Sequence, residues 1–170
     1  MGFIGTNQVS SILHNGVTLG APAISILGPD YFPINILEGN YTALLEAGEN
    51  GLNLIGVSIA QIGFVPSTAV RLQFKSIGST QPLVSFAGQV IPYAPIGSGT
   101  NYVLYAGDVS QFAGEVGELR FSTTAMPQFR SEFLLDSIAF SSVPEPGVLT
   151  LTAVAGLLFA ALRWQRSRRK

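Results

Sequence analysis

Apolar and polar side chains alternate with a period of two along several stretches of this chain, the pattern of strands that bury one face. Between 69 and 77 the run AVRLQFKSI sets Val70, Leu72 and Phe74 on one parity and Arg71, Gln73 and Lys75 on the other. The run VGELRF, 116 to 121, repeats the device, with Leu119 and Phe121 inward and Glu118 and Arg120 toward water. Further strands are predicted over 17–19, 23–27, 41–45, 54–64, 83–86, 102–105 and 132–140. Within 54–64 (LIGVSIAQIGF) the apolar residues keep no single parity, which predicts a bulge or bend near Gly56, or else a central strand covered on both sides. Dense turn signals separate these runs, among them Gly28-Pro29-Asp30, Gly48-Glu49-Asn50-Gly51 and Gly97-Ser98-Gly99. No stretch carries the period of a three-turn surface helix. The reading is all-β: a jelly-roll type antiparallel β-sandwich over 1–141.

The end of the chain follows another pattern. From Gly147 to Leu162 sixteen residues carry no charge, and Arg163, Arg166, Arg168, Arg169 and Lys170 follow them. Sixteen helical residues rise about 24 Å, against a hydrocarbon core of roughly 30 Å. Arg163 and Trp164 are suited to extending that span at the interface. The expected order is therefore a linker over 142–146, one transmembrane helix over 147–164 and a basic cytoplasmic tail over 165–170.

Charge sharpens that division. Residues 1–146 carry four basic and ten acidic side chains, a balance of −6, whereas 147–170 carry +5. An acidic body without a basic patch argues against a nucleic-acid partner, and a basic cluster behind an apolar run is held at the cytoplasmic face of a bilayer. Residues 1–142 would then lie across the membrane. Absence of cysteine is compatible with that location. The N-terminus shows no basic-then-apolar export signal, so the expectation is a truncated start, or export by other information.

These features carry a resemblance. The tail VPEPGVLTLTAVAGLLFAALRWQRSRRK is similar to the PEP-CTERM sorting signal of bacterial exported proteins, with Val143, Pro144, Glu145 and Pro146 as the signature. The resemblance implies an exosortase-like processing enzyme as partner, a lipid bilayer as second partner, and no catalytic role for the motif. It also implies an inner-membrane precursor with the β domain outside the cytoplasm, then delivery to the cell envelope or extracellular matrix. More loosely, SIAQIGFVP, VSFAGQVI, YVLYAGDVSQFAGEVGELRFST and FLLDSIAFSSVPEP resemble galactose-binding-like jelly rolls. That likeness implies a domain that binds sugars or mediates adhesion.

Candidate chemistry is sparse. The sole histidine, His14, and the lack of cysteine exclude the familiar Cys/His zinc clusters. Glu46 with Glu49, or Glu115 with Glu118, could pair as in a glycosidase, though solvated strand faces and turns carry such charges routinely. No phosphate-cradling loop is present. Tyr93, Tyr102 and Tyr105 surround the 92–99 loop and are the candidate sugar-binding rings. Tyr102 and Tyr105 differ in strand parity, and the rings could equally cover the sandwich rim. Asp108, in DVSQFAG, suits a turn in which it accepts N–H groups from Ser110 or Gln111, while Phe112 plugs the sandwich end. Asp108 and Asp136 are the candidate calcium ligands, but calcium takes about six to eight oxygens and no dense acidic loop supplies them. No other cofactor is expected. The main functional reading is a non-enzymatic surface or matrix protein; the alternative is a carbohydrate-binding module on a jelly-roll fold, with extracellular polysaccharide as a candidate ligand.

Overall fold

The structure, a computed structural model, describes residues 1–16, 18, 20–30, 36–127 and 131–142. In chain order the strands are β1 (Gly2–Ile4), β2 (Asn7–Gln8), β3 (Leu13–His14), β4 (Ala23–Leu27), β5 (Thr42–Asn50), β6 (Asn53–Ile55) and β7 (Val57–Phe64). They continue as β8 (Arg71–Gly78), β9 (Leu83–Phe86), β10 (Gln89–Val90), β11 (Tyr93–Ser98), β12 (Val103–Asp108), β13 (Val116–Thr123) and β14 (Ser131–Ser141). One 3-10 turn, Ser110–Phe112, precedes β13. The strand expected over 17–19 falls partly outside the described residues.

The strands form two sheets. One has the order β10-β9-β13-β7-β1-β2, the other β11-β12-β8-β14-β5-β4-β3, with β6 paired to β5. Alternation assigns each inner face: Leu72 and Phe74 of β8, Phe133 and Leu135 of β14, and Leu45 of β5 point inward and are buried. Phe86 and Phe121 answer them from the first sheet. Phe74 stands at the centre, its ring 5.1 Å from Phe121, 5.0 Å from Tyr93 and 5.4 Å from Tyr105. Edge-to-face and offset stacking of these rings adds to the burial of their area. The fold is a jelly-roll-like sandwich.

The mixed parity of 54–64 has a simple cause. The chain changes sheets at Gly56: β6 pairs with β5 in the second sheet, and β7 pairs with β1 and β13 in the first. A Cβ at Gly56 would lie 2.7 Å from the Thr123 carbonyl oxygen, so only glycine lets the crossing strand approach β13 this closely.

The second half of the expected architecture is corrected. Among the described residues no helix is long and apolar enough to cross a membrane, because every element except the 3-10 turn is a strand. The predicted transmembrane segment, 147–164, and the basic tail, 165–170, lie outside the described residues. The bilayer partner and the inner-membrane location both required such a helix, and they are withdrawn with it.

Candidate functional site

A break in β14 organises the site. Residues 133 and 135 face inward, whereas Phe140 pairs with Leu72, so inward parity shifts from odd to even across the strand. The register slips between Asp136 and Ala139, and Ser137 takes a left-handed φ of +51°. A bulge re-aims side chains on both faces of its strand. Here it presents Asp136 and Ser137 on the outer face of the second sheet, beside Lys75 of β8, with which Asp136 is in register.

Asp136 ties a distant loop to this face. Its Oδ2 accepts hydrogen bonds from Thr42 Oγ1 at 2.7 Å and from the Glu38 backbone N–H at 3.2 Å, and its Oδ1 accepts from the Ser137 N–H at 2.6 Å. Thr42 Oγ1 accepts from the Leu37 N–H at 2.9 Å. The loop before β5 is therefore fixed over β14, and Glu38 is carried to Lys75. Lys75 Nζ lies 2.6 Å from Glu38 Oε1, while Ser137 Oγ donates to Glu38 Oε2. On the other side of Lys75 is Tyr102, whose ring centroid is 4.6 Å from Nζ. Asn101 Nδ2 donates to the Ile36 carbonyl at 2.6 Å, which holds the β11–β12 turn against the same loop.

Charges on this shelf are mutually stabilised. Hydrogen bonding from Lys75 and then Ser137 lowers the pKa of Glu38, and the Glu38 carboxylate raises that of Lys75. The Glu38 side chain remains 56% exposed, whereas that of Lys75 is 13% exposed. The carboxylate is thus the open end of the pair. A carboxylate whose proton affinity is lowered is a poor base for the neighbouring Ser137 hydroxyl. The arrangement offers fixed hydrogen-bond donors and acceptors more readily than an activated nucleophile.

The three candidate tyrosines separate. Tyr105 is 8% exposed and lies in the core, its ring stacked on Phe74. Tyr93 also packs against Phe74, its hydroxyl donates to the Pro82 carbonyl, and burial pushes its pKa up to about 12. Tyr102 alone reaches the outer shelf, where Lys75 covers its ring. Of the two candidate calcium ligands, Asp136 belongs to the shelf and Asp108 does not. Asp108 Oδ1 accepts from the Ser110 N–H at 2.8 Å and from Ser110 Oγ at 2.7 Å, which lowers its pKa and closes the turn that buries Phe112. Among the described residues no three His, Cys, Asp or Glu side chains converge as a metal site.

The remaining candidates lie apart. Glu46 is buried, accepts from the Thr18 N–H at 3.2 Å and is in register with Glu132, while Glu49, on the same strand, has the opposite parity and is exposed. Glu118 Oε1 accepts from Arg120 Nε at 2.8 Å. His14 sits on exposed β3, 6.3 Å from the Tyr41 ring. Val143, Pro144, Glu145 and Pro146, and the anchor Arg163, Trp164, Arg166, Arg168, Arg169 and Lys170, lie outside the described residues. The pattern reading passed over Glu38, Lys75 and Ser137. A signal for them was present: apolar parity reverses across Leu135-Asp136-Ser137-Ile138, which marks the bulge.

No family model, no curated protein and no solved structure matches this chain. The sorting role, the exosortase partner and the envelope or matrix destination rested on a family resemblance and a membrane-spanning helix. With no matching family and no such helix among the described residues, they are withdrawn.

Proposed function

We propose that the sandwich is a non-enzymatic carbohydrate-binding module, and that its site is the outer shelf of the second sheet. The observation that carries this reading is the convergence of the Tyr102 ring, the Lys75 ammonium and the half-exposed Glu38 carboxylate on one face. A sugar presents neighbouring hydroxyls that each donate and accept. An ammonium beside a carboxylate offers the matching pair at one spacing, and charged hydrogen bonds are the stronger ones. Lys75 lies over the Tyr102 ring, so the aromatic group acts as a wall that positions the ammonium. The bulge, the Asp136 anchor and the Asn101 bond hold these groups before any ligand arrives, which reduces the ordering cost of binding.

Titration of the full chain against a panel of neutral and acidic mono- and polysaccharides tests the proposal. Saturable binding is expected, weakened about tenfold or more by Glu38→Gln and by Tyr102→Ala. Binding is expected to be indifferent to calcium, since both Asp136 oxygens already accept protein donors. No saturable binding across the panel, or equal binding by both variants, would overturn the assignment.

A further inference from the structure

The two sheets do not close at every edge. Inward positions of β7 begin buried at Val57, yet Gln61 and Gly63, on the same parity, are exposed. Opposite them β14 has passed its bulge and turns Ile138 and Phe140 toward the gap. Between the sheets lies a cleft of about 570 Å³, with Phe64 and Ile138 at its exposed rim and the buried rings of Phe86 and Phe121 at its floor. That volume is within the range of about 300–1,000 Å³ that small-molecule sites occupy. A Cβ built on Gly63 would meet no atom within 4 Å, so the space continues to its backbone.

The lining restricts the occupant. No residue along the cleft has a charged side chain, and Gln61 is its one polar side chain; the one charge on the lining is the Met1 ammonium, which donates to the Ala60 carbonyl at 2.6 Å. A polypeptide entering as an extended segment could pair only with the short edge of β7 beyond Ala60, where its pairing with β1 ends, and with the Gln61 amide, which leaves its remaining backbone amides unsatisfied. A helix about 10–12 Å across does not fit between sheets that pack about 10 Å apart. A cationic headgroup would meet only a like charge, the Met1 ammonium, and an anionic one would have that single ammonium, already donating to the Ala60 carbonyl, to offset its lost hydration. What remains is a small amphiphile with an apolar chain and an uncharged polar end.

We propose that the cleft is a second binding site, separate from the outer shelf, for a fatty-acyl ester or similar neutral long-chain molecule. The acyl chain lies between β7 and β14, and the uncharged head meets the Gln61 amide at the mouth. Apolar burial supplies the affinity, and the single amide supplies the orientation.

Calorimetric titration of the full chain with monodecanoylglycerol, kept below its micelle concentration, tests this. One saturable site per chain is expected, with decanoate binding more weakly and glycerol not at all. Gly63→Leu fills the cleft and is expected to reduce affinity about tenfold or more while leaving the saccharide titration unchanged. The latter separates failure here from failure of the shelf. Because the chain has no cysteine, Gly63→Cys carrying an environment-sensitive fluorophore gives a second readout, in which the ester displaces the dye into water. Absence of saturable ester binding, equal affinity in Gly63→Leu, or decanoate binding as tightly as the ester would each overturn the proposal.

Discussion

Asp136 and Thr42 are 94 residues apart in sequence, yet Thr42 Oγ1 donates to Asp136 Oδ2 at 2.7 Å. This contact fixes the loop before β5 to the last strand and so sets where Glu38 stands. Removing the carboxylate by Asp136→Ala takes away the acceptor shared by Thr42, the Glu38 N–H and the Ser137 N–H. Hydrogen bonds to a charged group contribute about 1.5–3 kcal/mol each, and they are not additive in a shared acceptor. The expected loss is about 2–3 kcal/mol by urea unfolding, with Asp136→Asn falling between it and the parent chain. A loss of only a few tenths would show that the loop is held by something else.

The Glu38–Lys75 pair gives stability a pH dependence at both extremes. Glu38 has its folded pKa below the ordinary 4.5, so its contribution is present above that value and is lost as pH falls through the lower folded value. Lys75 has its folded pKa above 10.5, so its contribution is present below 10.5 and disappears as pH rises through the higher one. The difference in stability between the parent chain and Lys75→Met is expected to be flat from about pH 5 to 10 and to shrink outside that window. Because the pair is solvent-screened, added salt should shrink it too. A difference that varies steadily through neutrality would rule out this pair as the source.

Much of the sandwich could be read from alternation alone, and little of its site could. Val70, Leu72 and Phe74 against Arg71, Gln73 and Lys75 identify β8 and its inner face without knowledge of any neighbour. The same rule finds β9, because one half-buried face is enough to impose a period of two, whereas β4 is a short apolar run covered on both faces. The rule misses β1, β2, β3 and β10, which are two or three residues long and show too few positions for a period, and it reads 92–99 as a loop where the six-residue β11 runs, because Pro95 and Gly97 interrupt that strand and its outer positions are exposed. It also cannot say which strands are neighbours. Tyr102 and Asp136 appear in the sequence as isolated polar residues, and only the order β12-β8-β14 places both beside Lys75. Tyr93 and Tyr105 show the opposite case: a polar-tipped ring in a turn-rich stretch reads as surface, but the phenyl body is drawn into the core around Phe74.

Alkaline titration should distinguish Tyr93. Burial raises its pKa from 10 to about 12, since the phenolate would be desolvated against Phe74 and Tyr105. A folded pKa above the unfolded one favours the folded chain fully below pH 10, an advantage lost as pH rises through about 12. Ultraviolet titration of the folded chain should show a late-ionising phenol that is absent in Tyr93→Phe. If that late component survives in Tyr93→Phe, another ring is responsible.

Ser137 offers the sharpest test of the bulge. A left-handed backbone costs a residue with a Cβ roughly 1–2 kcal/mol, and Ser137 adopts one at φ +51°. Its hydroxyl offsets part of that cost by donating to Glu38. Ser137→Ala keeps the strain and loses the donor, whereas Ser137→Gly loses the donor but relieves the strain. Both variants also give up the same contact with Glu38, so the comparison between them isolates the backbone. Glycine has an opposing entropic cost of about 0.5–1 kcal/mol, which leaves Ser137→Gly more stable than Ser137→Ala by about 0.5–1 kcal/mol. Urea unfolding of the two variants measures that difference directly. Equal stability, or the reverse order, would mean that residue 137 does not hold a left-handed conformation, and that the turning of Ile138 and Phe140 toward the cleft has another origin.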